Sequence, residues 1–211
     1  MRLTHARKGP GKSSGAPNAV NSAAPERILD VAATLFWRKG YAATTTREIS
    51  AEIGIQKASL YYHIAKKEDL LYHLCTQSLQ VITARVRAAA EQKGTPSEVL
   101  RRIIVTHVIT MLDDQAKHAT MLTELRSLKS ERRNDVIRLR DDYECLVRDA
   151  IIASQLAGEL RDDMPPEFIE LALLNLLNWT IFWYNPTKGD VPQVIGERYA
   201  ELFLEGARPR R

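Results

Sequence analysis

After a first stretch that shows no periodicity, apolar positions recur at helical spacing almost to the end of the chain. Ile28, Val31, Ala32, Leu35 and Phe36 share one face at a period of about 3.6 residues, which predicts a helix entered at Pro25 and stopped at Gly40. A threonine of the run Thr44-Thr45-Thr46 suits the cap of a short second helix with Arg47, Ile49, Ala51 and Ile53, ended by Gly54. A third short helix is expected over 56–63. A long helix then opens at Lys66 and runs to about residue 92, with Leu70, Leu71, Leu74, Cys75, Ile82, Val86 and Ala89 as its stripe. Thr95-Pro96-Ser97-Glu98 combines a capping hydroxyl, a first-position proline and a reciprocating glutamate, a strong start for a helix carrying Leu100, Ile103, Ile104, His107, Val108 and Met111. Asp113 and Asp114 mark a break. A shorter helix follows with Met121, Leu122, Leu125 and Leu128, then a long charged one with Val136, Leu139, Tyr143, Leu146, Val147, Ala150 and Ile151 inward, ended by Gly158. Pro165-Pro166 opens a helix reaching about Tyr184, and a last one runs over 191–203. The expected fold class is all-α, about nine helices, with a small N-terminal three-helix domain joined to a larger helical one.

Composition sets limits on this picture. The chain has 211 residues, 45% of them hydrophobic and 27% charged, enough to bury a core without disulfides or metal. The net charge is +4, and Arg2, Arg7, Lys8 and Lys12 lie in the first 25 residues without an acid. The rest is balanced, so any basic patch on the folded part is local. The expected organisation is a disordered basic tail over 1–24, a small three-helix unit over 25–72, a larger helical domain over 73–207, and a basic tail over 208–211. No apolar run approaches the roughly 18 residues of a membrane span, and the basic N-terminus lacks the apolar run of a signal peptide. A cytoplasmic protein without a membrane partner is expected. Cys75 and Cys145 both fall on apolar stripes and read as reduced, buried thiols. No nucleophile elbow, phosphate loop or zinc-type histidine spacing is present, so neither an enzyme, a metal site nor a cofactor is expected.

The candidate chemistry lies between Thr44 and Lys67. Short helix, glycine turn and short helix are the parts of a helix-turn-helix, whose second helix enters the major groove. Gln56, Lys57, Ser59, Tyr61, Tyr62 and His63 supply a polar face there, and Ile55, Leu60 and Ile64 an apolar back. No acid occurs from Ile53 to Lys67, although Glu52 and Glu68 flank the window. Lys57 suits guanine O6/N7, and the hydroxyls of Thr46, Ser59, Tyr61 and Tyr62 suit phosphates. Lys67, at the mouth of the following helix, suits one further phosphate. Arg47 suits a base or a phosphate. Tyr61 equally suits a role cementing the three-helix core.

The run Gly40-Tyr41, Thr44-Thr45-Thr46-Arg47, Ile49, Gly54-Ile55, Leu60-Tyr61-Tyr62-His63 and Lys67-Glu68-x-Leu70-Leu71 resembles the signature of the TetR family of repressors across residues 26–73. The resemblance implies a dimer binding palindromic double-stranded operator DNA. It also implies DNA contacts from Thr45, Thr46, Arg47, Lys57, Ser59, Tyr61, Tyr62, His63 and Lys67. Gln56 departs from the capping serine frequent in the family, and Ala58 from the frequent glycine, which leaves the base preference open.

The segment from Pro165 to Pro186 is apolar nearly all round, so a second copy of the chain is expected to cover it. Leu171, Leu174, Asn178 and Ile181, with Tyr199 and Phe203 of the last helix, are the expected homodimer interface. The run Asn178-Trp179-x-x-Phe182-Trp183-Tyr184-Asn185-Pro186 resembles a TetR branch responsive to acyl-CoA thioesters. A small apolar effector is therefore expected, with an acyl-CoA as one reading and a drug-like ligand of an efflux repressor as the other. Ile103, His107, Val108, Met111, Met121, Leu125, Trp179 and Trp183 are the candidate apolar lining, and Arg126, Lys129, Arg132 and Arg133 the candidate cations. A histidine on an apolar stripe, as at 107, is more commonly a satisfied core group.

Overall fold

The structure, a computed structural model, describes residues 23–209, and their regular structure is entirely helical. The helices are α1 (Ala23–Lys39), α2 (Thr46–Ile53), α3 (Lys57–His63), α4 (Lys67–Ala90), α5 (Pro96–Asp113), α6 (Gln115–Glu124), α7 (Ser130–Leu156), α8 (Pro166–Asn178), α9 (Thr180–Trp183) and α10 (Pro192–Gly206). A single 3₁₀ turn, Leu125–Ser127, links α6 to α7.

Local chemistry sets the ends of these elements. Thr45 caps α2 in a reciprocal box with Glu48, whose carboxyl is held down to about 2 by the Lys39 ammonium and the Thr45 backbone and hydroxyl. Gly54, at φ 80°, then closes α2: its N–H reaches the Ala51 carbonyl and the Ile55 N–H the Ser50 carbonyl. That left-handed turn needs glycine and sets the angle between α2 and α3. Thr95 and Glu98 cap α5 in the same reciprocal way. Asp114 accepts from the Lys117 N–H and restarts the chain as α6.

Two buried clusters follow. The first gathers Ile28, Phe36, Ile49, Leu60, Leu70, Leu74 and Cys75 with Met121, Leu128 and Val136. The second gathers Val86, Leu100, Ile103, Ile104, Val108, Met111, Val147, Ile151, Leu173 and Ile195. Each large aliphatic chain removed from water contributes roughly 1.5–3 kcal/mol before entropic costs. Helix α4 feeds both clusters, so the boundary expected after residue 72 falls inside it. Helix α10 lies directly on α5: a Cβ at Gly196 would sit 3.0 Å from the Val105 Cα, so only glycine allows this approach.

Several expectations need correction. The first helix starts at Ala23, two residues inside the expected tail; the rest of that tail, like Arg210 and Arg211, lies outside the described residues. Leu125 sits in the 3₁₀ turn and Leu128 beyond it, not on one helix with Met121. The expected helix from Pro165 to Tyr184 breaks at Trp179, in a run of β-branched and aromatic residues of modest helix propensity. There the Gln115 side-chain amide donates to the carbonyls of Ile181 (2.6 Å) and Tyr184 (3.2 Å) and ties down the last turn. Cys75 is buried as expected, but Cys145 is exposed on α7.

Candidate nucleic-acid interface and its coupling

Helices α2 and α3 present one polar surface. Thr45, Arg47, Gln56, Lys57, Ser59, Tyr61, Tyr62 and His63 are exposed, and Thr46 is half-buried. Leu60 and Ile64 face the first core, with Ile55 partly buried against it. Gln56 takes the cap position of α3 but makes no side-chain cap bond. The Tyr61 hydroxyl lies 3.1 Å from Thr46 Oγ1, joining the end of α3 to the start of α2. Lys57 Nζ sits 5.6 Å from the Tyr61 ring centroid. Tyr61 thus braces the motif and remains 43% exposed, while Tyr62 is 85% exposed and packs only edge-on to His63. The Tyr62 side chain therefore contributes little to the core.

Lys67, at the first turn of α4, has partners inside the chain. Its ammonium donates to the carbonyls of Tyr41 and Thr44, both at 2.8 Å, and lies 4.2 Å from the Tyr41 ring centroid. Burial lowers its pKa, and Glu124 opposes that effect. In this structure Lys67 pins the loop between α1 and α2.

The three-helix unit is clamped to the body through α6, a connection not foreseen from the sequence. Lys117, Thr120 and Glu124 share one face at helical spacing. Lys117 bridges Asp30 (2.5 Å) and Asp114 (2.7 Å). The Thr120 hydroxyl donates to the Ala33 carbonyl (3.2 Å), and the Tyr41 N–H donates to Glu124 (3.0 Å). Helix α7 adds a second set: the Lys129 N–H donates to Glu68 (3.1 Å), and Arg132 pairs with Asp69 (2.7 Å). Arg132 is thereby committed to an acid and is not the free phosphate-binding cation expected. The spacing of Lys117, Thr120 and Glu124 along one face of α6 was the signal for this clamp.

A profile described as "Tetracyclin repressor-like, C-terminal domain" matches residues 93–207, and one described as "Bacterial regulatory proteins, tetR family" matches residues 28–74. The chain belongs to the TetR family of transcriptional regulators. Among its relatives, the HTH-type transcriptional repressor KstR2 of Mycobacterium tuberculosis is 26% identical over 188 residues, 89% of this chain and 94% of KstR2. The crystal structure of the TetR-family regulator PfmR from Thermus thermophilus superposes with a TM-score of 0.79 at 32% identity, covering 85% of this chain and 97% of PfmR. The structure of AibR in complex with isovaleryl coenzyme A and operator DNA shares the fold, with a TM-score of 0.76 at 23% identity, over 89% of this chain and 99% of that one.

In this TetR-family chain the expected ligand residues do not converge. Ile103, His107 and Met111 lie in the second core, whereas Met121 and Leu125 belong to the first. Arg126 is exposed on the 3₁₀ turn. Trp179 is exposed, its ring tilted against Phe182 at 4.6 Å between centroids, and Trp183 borders a surface cleft of about 340 Å³ between α9 and α10. An open groove of about 840 Å³ runs between α4, α5 and α7, lined by Leu79, Thr83, Val99 and Leu146 with Cys145, and takes in none of the expected residues. Among the described residues no helix is long and apolar enough to cross a membrane.

The residues expected at the interface are not all exposed in the single chain. Leu174 and Ile181 are buried within the chain, and Asn178, Tyr199 and Phe203 are half-buried. Leu171 is exposed, and with it Phe168, Trp179, Phe182 and Trp183 form an apolar stripe at helical spacing along α8 and α9, beside Val194 and Leu202 of α10. A helix apolar all round offers no periodicity to choose its outward face, which is why the exposed residues of α8 and α9 differ from most of those expected.

His107 is fully buried. Burial pushes its pKa down to about 3, the neighbouring His118 acts the same way, and Asn178 opposes them. His118 is lowered too, first by burial. Both rings bind more protons unfolded than folded below the ordinary histidine value of about 6.5, so stability is complete above that pH and is lost as pH falls towards the folded values. Equilibrium denaturation at pH 7.5 and pH 5 is expected to show a loss of about 2 kcal/mol from His107 alone, in a window above most carboxylate titrations. His107→Leu is expected to flatten that slope.

Proposed function

We propose that this protein is an operator-binding repressor that works as a homodimer and is released from DNA by an acyl-CoA or a related lipid-catabolism effector. The observation that carries DNA binding is the acid-free, exposed face of α3, with Lys57 and Tyr62 in water and Tyr61 braced against Thr46. In this reading Lys57 reads base edges, and Thr45, Thr46, Arg47, Ser59 and the tyrosines hold phosphates. The exposed stripe from Phe168 to Trp183 is the dimer face, large and aromatic enough to be costly in water. A two-fold pair places two α3 helices in successive major grooves roughly 34 Å apart.

Release follows from the clamp. Helix α6 holds α1 through Lys117 and Thr120 and the loop after it through Glu124, so a ligand that displaces α6 also rotates the three-helix unit. The coupling is reciprocal: operator DNA weakens effector binding by the same factor. The acyl-CoA class is supported by the likeness to AibR, solved with isovaleryl coenzyme A and operator DNA, and the wider lipid-catabolism reading by the likeness to KstR2, a ketosteroid transcriptional regulator. The test is fluorescence anisotropy on DNA from the protein's own upstream region, with and without a panel of acyl-CoAs. Binding released by one chain class supports the whole reading. Specific binding untouched by the panel retains the repressor and moves the effector to drug-like apolar compounds. Absence of specific DNA binding overturns the reading.

A further inference from the structure

The chain ahead of α1 differs in charge from all that follows. Residues 1–22 carry Arg2, Arg7, Lys8 and Lys12 without an acid, and the first carboxylate of the chain is Glu26. Met1, Leu3 and Val20 are the only large aliphatic side chains there, against three glycines and two prolines. That content gives little to bury against the body of the protein, whereas four cations suit a polyanion.

The point where this segment joins the fold selects the polyanion. Helix α1 crosses the three-helix unit from end to end. Its last residue, Lys39, pairs with Glu48 of α2 at 2.8 Å. At its other end Pro25, in the first turn, borders a cleft of about 360 Å³ together with His63 and Ile64, where α3 ends. His63 is exposed beside Tyr62, at 5.3 Å between ring centroids, on the acid-free surface. The first turn of α1 is itself exposed and balanced in charge, Glu26 against Arg27. Residues 1–22 therefore join the fold at the edge of the surface assigned to DNA. Reach limits what they meet there. At roughly 3.3–3.6 Å per residue, Lys12 lies within about 40 Å of Ala23 and Arg2 within about 75 Å. A turn of duplex is about 34 Å, so all four cations fall within about two turns of α3. Over that length the duplex carries about one phosphate charge per 1.7 Å of axis.

We propose that residues 1–22 are a DNA-binding arm, in which Arg2, Arg7, Lys8 and Lys12 bind backbone phosphates of the duplex beside those met by α2 and α3. The proposal rests on the operator-binding reading above and adds a second contact region to it. Phosphate contacts set affinity and carry no sequence information, so the arm strengthens binding to any duplex and leaves operator choice to α3. In a two-fold dimer the arms bring up to eight cations to one duplex. Each releases a condensed counterion as it binds, which makes the arm's share of the affinity steeply dependent on salt.

The experiment compares the full chain with a variant carrying Arg2→Gln, Arg7→Gln, Lys8→Gln and Lys12→Gln. Fluorescence anisotropy is read over a salt series on DNA from the protein's own upstream region and on a scrambled duplex of equal length. Each phosphate contact contributes about 0.9 to the slope of log K against log salt, so four per chain set a ceiling of about 7 for the dimer. The variant is expected to lose at least about 2 of that slope and at least about tenfold in affinity, by the same factor on both duplexes. A second variant, Arg2→Lys with Arg7→Lys, is expected to keep the parent's slope, since lysine also binds phosphate as a point charge. A smaller loss of slope in the first variant overturns the proposal and leaves the operator-binding reading intact. A loss confined to the upstream DNA also overturns it and makes the segment a reader of bases. If the parent binds both duplexes equally, the operator-binding reading falls, and the slope still decides the arm. Binding to neither overturns both.

Discussion

Replacing Lys57 and Tyr62 together by alanine is expected to weaken operator binding about 10³-fold or more while leaving the thermal midpoint unchanged. Each residue that meets a base or phosphate is worth about 1–3 kcal/mol, and a two-fold dimer presents both twice. The lower bound for four contacts is about 4 kcal/mol, or close to three decades. Stability is spared because both side chains are exposed and neither has a hydrogen-bond partner within the fold. Anisotropy at fixed salt checks the magnitude, and a salt series assigns the role of Lys57. As a phosphate contact its loss lowers the slope of log K against log salt by about one per half-site, whereas as a base reader it relaxes sequence preference at one position. A double variant within about threefold of the parent would remove α3 from the interface.

The second large effect concerns Leu171. This side chain is 61% exposed in the middle of the stripe, between Phe168 and Trp179. Leu171→Asp is expected to convert a dimer to a monomer at micromolar concentration, because each two-fold contact would then bury a carboxylate from each copy without a partner. Light scattering after gel filtration reads the mass. Circular dichroism is expected to be unchanged, since the residue makes no part of either core. Operator affinity is expected to fall with the dimer. An unaltered mass would place the interface elsewhere.

Much of the fold was legible because its signals are local. The boxes at Thr45–Glu48 and Thr95–Glu98, the turn at Gly54 and the break at Asp113-Asp114 each depend on residues a few positions apart. The acid-free window is equally a property of one short segment. What escaped depends on distant partners. Lys67 reads as a free cation until Tyr41 and Thr44 are brought to it, and Arg132 until Asp69 is. Met121 and Met111 share a polarity and a neighbourhood in the chain, yet the break at Asp114 sends one into each core.

The two cysteines differ in a way that gives the molecule a built-in reporter. Cys75 is buried against the first core, and burial, assisted by Glu124, pushes its thiol up to about 12, so little thiolate is available to react near neutral pH. Cys145 stands exposed on α7. A maleimide spin label added to the unmodified protein therefore marks one defined position per chain. In a two-fold assembly the pair yields a single interlabel distance, and any rearrangement of α7 between operator-bound and effector-bound states becomes readable as a change in that one length.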